Sequence, residues 1–95
     1  MIIREVVYDI IDSERDYQES RWPGHMHSPQ EFLTYIRSYT NEALEVGARS
    51  NDLDGDVRTR QMVLIRKIAA LAVAAMEQHK TPLRLRDVNP LLNTP

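Results

Sequence analysis

The chain contains no cysteine, so disulfides, thiolate metal sites and a thiol nucleophile are excluded. It has only three glycines, and none stands in a pattern that could cradle a phosphate. It lacks a surplus of either charge: 12 basic residues face 14 acidic ones, for a formal net charge of -2. General nucleic-acid binding normally needs a clear basic excess, so that class is set aside. No apolar run approaches the ~18 residues needed to cross a bilayer. Arg4, Glu5 and Asp9 interrupt the apolar N-terminus, which therefore lacks the layout of a signal peptide. No motif supports Ser-His-Asp chemistry. These absences lead to the expectation of a soluble, cytoplasmic protein.

At 95 residues the chain is one domain. Its hydrophobic fraction of 42% suits a globular fold. A domain this small buries a modest core, so a homo-oligomer is expected.

Three stretches carry helical periodicity. Ile2, Ile3, Val6, Val7, Ile10 and Ile11 form one stripe of an amphipathic helix over about 2–21, which Pro23 and Gly24 stop. Residues 2–8 also suit a strand by composition, but the period favours a helix. Ser28-Pro29-Gln30-Glu31 predicts a helix start. Ser28 serves as N-cap, Pro29 takes the first helical position, and Glu31 closes a capping box. That second helix spans about 29–49, with Phe32, Leu33, Ile36, Tyr39, Ala43, Leu44 and Val46 at helical spacing. A polar turn over 50–55 separates it from a third helix over about 57–79. The third helix is apolar nearly all round between Ala69 and Ala75. It is expected to be central, or to face a subunit interface as well as its own core. The tail over 80–95 has three prolines, at 82, 90 and 95, yet keeps Leu83, Leu85, Val88, Leu91 and Leu92. It is expected to pack on the domain or on a neighbouring subunit. The predicted fold class is all-α: three helices built on an antiparallel hairpin of the second and third, with the first packed across it.

Glu42 and Glu45 lie three residues apart on one helix face. Turned inward, they could hold a divalent cation or the polar end of a ligand; turned outward, they are a solvated acidic stripe. On the next helix Arg66 and Lys67 stand twenty-one and twenty-two residues after Glu45. Two facing acidic pairs would make a Mg²⁺ site. An acidic pair facing a basic pair makes either an ion-paired core edge or a place where Arg66 and Lys67 hold phosphate directly. Glu14, one turn from Gln18, is the further acid for a residual metal site with Glu42 and Glu45. Tyr17, Arg21 and Trp22 form a second cluster: rings to stack on a base, and a cation for phosphate. The same tryptophan can equally be a core or interface anchor.

Weaker signals complete the set. His25 and His27 make an H-x-H pair, but zinc takes three or four ligands. Asp52, Asp54 and Asp56 imitate the start of a calcium loop. The glycine falls two places early, at Gly55, and Val63 occupies the terminal ligand position. A turn, with acids favouring the next helix N-terminus, is the simpler reading.

Residues 29–79 resemble the core hairpin of the MazG-like, all-α nucleoside triphosphate pyrophosphohydrolases. That family carries E-E-x-x-E on one helix and E-x-x-D about twenty residues later, and these acids hold Mg²⁺. Asn41-Glu42-Ala43-Leu44-Glu45 matches the first motif, with Asn for the leading acid. Arg66 and Ala69 stand where the second motif has its acids. The chain also resembles small proteins of tailed bacteriophages, through Glu14-Arg15-Asp16-Tyr17-Gln18, Arg21-Trp22, His27-Ser28 and Arg66-Lys67-Ile68-Ala69, with Ala75-Met76-Glu77-Gln78-His79 further on. The resemblances imply a phage-type accessory protein that binds a nucleotide or other phosphorylated ligand without hydrolysis. The alternatives are a Mg²⁺-dependent pyrophosphohydrolase using Glu14, Glu42 and Glu45, and a non-catalytic module that binds a host protein.

Overall fold

A computed structural model describes residues 1–49 and 55–84. Three helices account for most of them: α1 (Arg4–Arg21), α2 (Pro29–Arg49) and α3 (Gly55–His79). No strand occurs among the described residues. The turn expected over 50–54 and most of the leucine-bearing tail, from residue 85 on, lie outside the described residues.

α1 starts at Arg4, two residues later than the apolar stripe suggested. Ile3, its N-cap, offers no side-chain acceptor to the free N–H groups of the first turn. It ends as expected at the Pro23-Gly24 turn, where Gly24 takes φ +71°, a conformation that costs glycine little. α2 opens with a complete capping box. The Glu31 N–H donates to Ser28 Oγ at 3.1 Å, and the Ser28 N–H donates to Glu31 Oε1 at 2.9 Å. α3 ends at His79; the next residue, Lys80, adopts φ +61° while its N–H closes on the Met76 carbonyl at 2.9 Å.

α2 and α3 pair antiparallel. Phe32 meets His79 at one end, Tyr39 lies beside Lys67 midway, and the Gln61 amide donates to the Ala43 carbonyl at 3.2 Å near the other end. Gly47 accommodates that glutamine, since a Cβ there would meet Gln61 Nε2 at 2.6 Å.

α1 packs on α3 alone. Among the described residues it makes no helix–helix contact with α2. The first helix therefore crosses one arm of the expected hairpin rather than both. Glu14 reaches back along α3 to Arg66, and Arg15 reaches forward to Glu77. The two ion pairs bracket Ala70 and Ala74, both buried, whose small side chains let the helices come close. α3 is thus the central element, as its all-round apolarity suggested. The remaining buried apolar side chains are Phe32, Val57 and Leu64.

Candidate functional site

The end of α1, the loop after it, the start of α2 and the last turns of α3 converge on one cleft of about 340 Å³. That volume lies at the lower end of the range for small-molecule sites. The sequence dictates its position. α2 begins at the end of α3 where α1 also finishes, so three segments deliver rings to one place. Trp22 comes from the end of α1, Tyr35 and Tyr39 from α2, and His25 and His27 from the loop; Leu71 and Ala74 of α3 form the floor. His27 packs edge-on against Phe32 and Tyr35, at centroid distances of 5.4 and 5.2 Å.

The loop is tied down from α3. The Gln78 side chain accepts from the His27 N–H at 3.0 Å and donates to the His25 carbonyl, also at 3.0 Å. The next residue, His79, bonds the His27 carbonyl through Nε2 at 2.6 Å. Because a carbonyl only accepts, Nε2 carries the proton. The loop thus closes one end of the cleft on a side-chain clamp.

The charges around the cleft are largely balanced. The Arg15 guanidinium bonds Glu77 at 2.9 Å and Glu19 at 3.0 Å. Burial pulls its pKa down, but the hydrogen bonds and charges of the two acids prevail, and the net shift is upward. Glu19 is held below the usual carboxylate range, first by the Gly24 N–H and then by Arg15. Lys67 differs from these groups. Its ammonium stands 5.6 Å from the centre of the Tyr39 ring, and it forms no ion pair among the described residues.

Of the residues singled out in the sequence, Trp22 lines the cleft, and Lys67 does not line it but stands over Tyr39, which does. Tyr17 and Arg21 are exposed and do not line it. Glu42 and Glu45 face solvent on α2, and Glu45 bonds Arg49 one turn on, at 2.8 Å. The ion pairs that the protein-binding alternative implies, Glu42–Arg66 or Glu45–Lys67, do not form among the described residues. The hairpin register sets Ala43 against Gln61 and Tyr39 against Lys67, so the two glutamates sit nearer the other end of the hairpin. Arg66, moreover, points at α1. Its Nε donates to Glu14 Oε1 at 2.7 Å, and Glu14 is 6% exposed. Glu14, proposed as a third metal ligand, is thus occupied by a cation and does not converge with Glu42 and Glu45. No group of three or more His, Asp or Glu side chains that could hold a metal occurs among the described residues. The three histidines do gather in space, but around a backbone carbonyl and rings rather than a common point.

The sequence reading passed over Tyr35, Tyr39 and Gln78 as site residues. The two tyrosines lie one turn apart on α2, a spacing that could have marked a ring-bearing face. Gln78 carries no such signal.

No family model, curated protein or solved structure matches this chain. No described helix is long and apolar enough to cross a membrane.

Proposed function

We propose that this chain is a non-catalytic binding module, of MazG-like ancestry and phage type, that holds a nucleotide or similar phosphorylated heteroaromatic ligand in the cytoplasm of a host cell. The observation that carries the reading is the ring-lined cleft together with Lys67, which stands over the Tyr39 ring and forms no ion pair among the described residues. The base stacks among Trp22, Tyr35 and Tyr39, where each good stacking contact contributes about 1–3 kcal/mol. Gln18, whose amide donates only a long 3.4 Å bond to the Lys67 carbonyl, has acceptor capacity left for a base edge. Lys67 receives the phosphate as a point charge. Arg15 shapes the wall but, held by two carboxylates, is not the anion site.

Hydrolysis fits this donor set poorly. A Mg²⁺-dependent pyrophosphohydrolase needs converging carboxylates, whereas Glu14 is bonded to Arg66 and the two α2 acids stand in solvent.

The test uses Trp22, the only tryptophan in the chain, as reporter. Titration with nucleoside mono-, di- and triphosphates should change its fluorescence saturably, with or without Mg²⁺, and without release of pyrophosphate. Tyr39→Ala should weaken binding at least about tenfold. No response to any nucleotide rejects the module; Mg²⁺-dependent pyrophosphate release restores the enzyme in its place.

A further inference from the structure

α3 has three faces, because successive residues turn by about 100° around the axis. Gln61, Leu64 and Leu71 fall on the side of α2, and Arg66, Ala70, Ala74 and Glu77 on the side of α1. Met62, Ile65, Ala69, Ala72 and Met76 share the third face, at the alternating three- and four-residue spacing of a helix-packing seam. No described element covers it: Met62, Ile65 and Met76 are 54%, 47% and 52% exposed.

α1 borders the same side. Its C-terminal end reaches the rings of α2 through Trp22. Beyond its crossing at Glu14, the helix therefore projects away from α2, past α3. Ile3, Val7 and Ile10 share the broad face of Glu14 and stand there exposed. Ile3 lies eleven residues before Glu14, about 16 Å along the helix, and is 66% exposed. α1 and α3 thus each carry an exposed apolar stripe that no described element covers.

We propose that the third face of α3 docks against the same face of a second copy of this chain, antiparallel and crossing at Ala69. The pattern is self-complementary, as a two-fold interface requires. Met62 stands seven residues before Ala69 and Met76 seven after, so a two-fold axis at Ala69 sets Met62 beside the partner's Met76. Ile65, four residues before Ala69, then falls between the partner's Ala72 and Val73. Ala69 at the crossing allows the helix axes to approach to about 8 Å. The seam carries no charge over its length, because Arg66 is turned to Glu14. The exposed parts of both stripes amount to several hundred Å², on the order of one partner's ~800 Å² share of a standard interface. This inference does not rest on the cleft's being a ligand site.

The absence of native cysteine provides a direct test. In the full chain, Ala69→Cys should form a covalent dimer under mild oxidation, since a two-fold crossing brings the two Cα atoms within disulfide reach. Leu44→Cys, on the exposed side of α2, should not. By sedimentation equilibrium the unsubstituted chain should have twice its sequence mass. Ile65→Lys should weaken association at least tenfold with an unchanged far-ultraviolet helix signal. A monomeric chain overturns the proposal, as does an assembly that Ile65→Lys leaves intact or cross-linking no faster at Ala69→Cys than at Leu44→Cys. A monomer in which Ala69→Cys resists alkylation would assign the face to residues 85–95 of the same chain.

Discussion

At one end of the α2–α3 hairpin, α2 begins, α3 finishes and α1 arrives; rings, a clamping glutamine and a doubly bonded arginine crowd together there. Towards the other end stand Glu42 and Glu45, the residues that most resemble a catalytic motif, with solvent around them and one neighbouring arginine. Among the described residues, the two ends differ in how many chain segments reach them. A cleft with walls needs at least three segments, and α1 supplies the third at one end only. An acid on a two-helix face without a third wall remains a surface charge, whatever motif it belongs to.

The same contrast appears in two arginine–carboxylate pairs. Arg66–Glu14 links helices with its acid buried; Arg49–Glu45 is one turn of a single exposed helix. Arg66→Ala leaves a buried carboxylate uncompensated and should cost on the order of 3 kcal/mol, about 15 °C in melting temperature. Arg49→Ala should change stability by less than about 0.5 kcal/mol. Equal effects in thermal denaturation would break the comparison.

Gln78→Ala should have the next largest effect, because it removes two of the three side-chain bonds that tie the 25–27 loop to α3. We expect a loss of about 2 kcal/mol, with faster amide exchange at His27 and weaker nucleotide binding. Retained binding would show that the clamp does not shape the cleft.

Ser28→Ala should cost about 1 kcal/mol through loss of the α2 cap. It also alters the response to acid. The Ser28 N–H and hydroxyl hold the Glu31 carboxyl below its ordinary pKa. A depressed acid contributes stability that is fully present above its unfolded pKa and is lost as pH falls through the folded one. Acid titration of stability in Ser28→Ala should therefore be flatter through and below the ordinary glutamate range than in the unsubstituted chain.

What was legible in the sequence was local. Ser28, Pro29 and Glu31 specify a helix start within four residues, and the capping box forms as read. The helix spans follow from periodicity, and the centrality of α3 follows from its all-round apolarity. What escaped was set by contacts between distant parts of the chain. Arg66 and Glu14 are 52 residues apart, and their meeting depends on α1 crossing α3 rather than the hairpin as a whole. The motif spacing gave the separation of Glu45 and Arg66 along the chain. Their depth and facing depend on a register that sets Ala43 against Gln61. Gln78 had no signal at all, since its role is to bond a loop 51 residues away.

The most direct measurement is a map of backbone and tryptophan-indole NMR shifts as a nucleotide is added. The account predicts that Trp22, His25, His27, Tyr39 and Gln78 move together and saturate, while Glu42, Leu44 and Glu45 stay in place. Shifts centred on Glu42 and Glu45, and absent from the Trp22 indole, would contradict it.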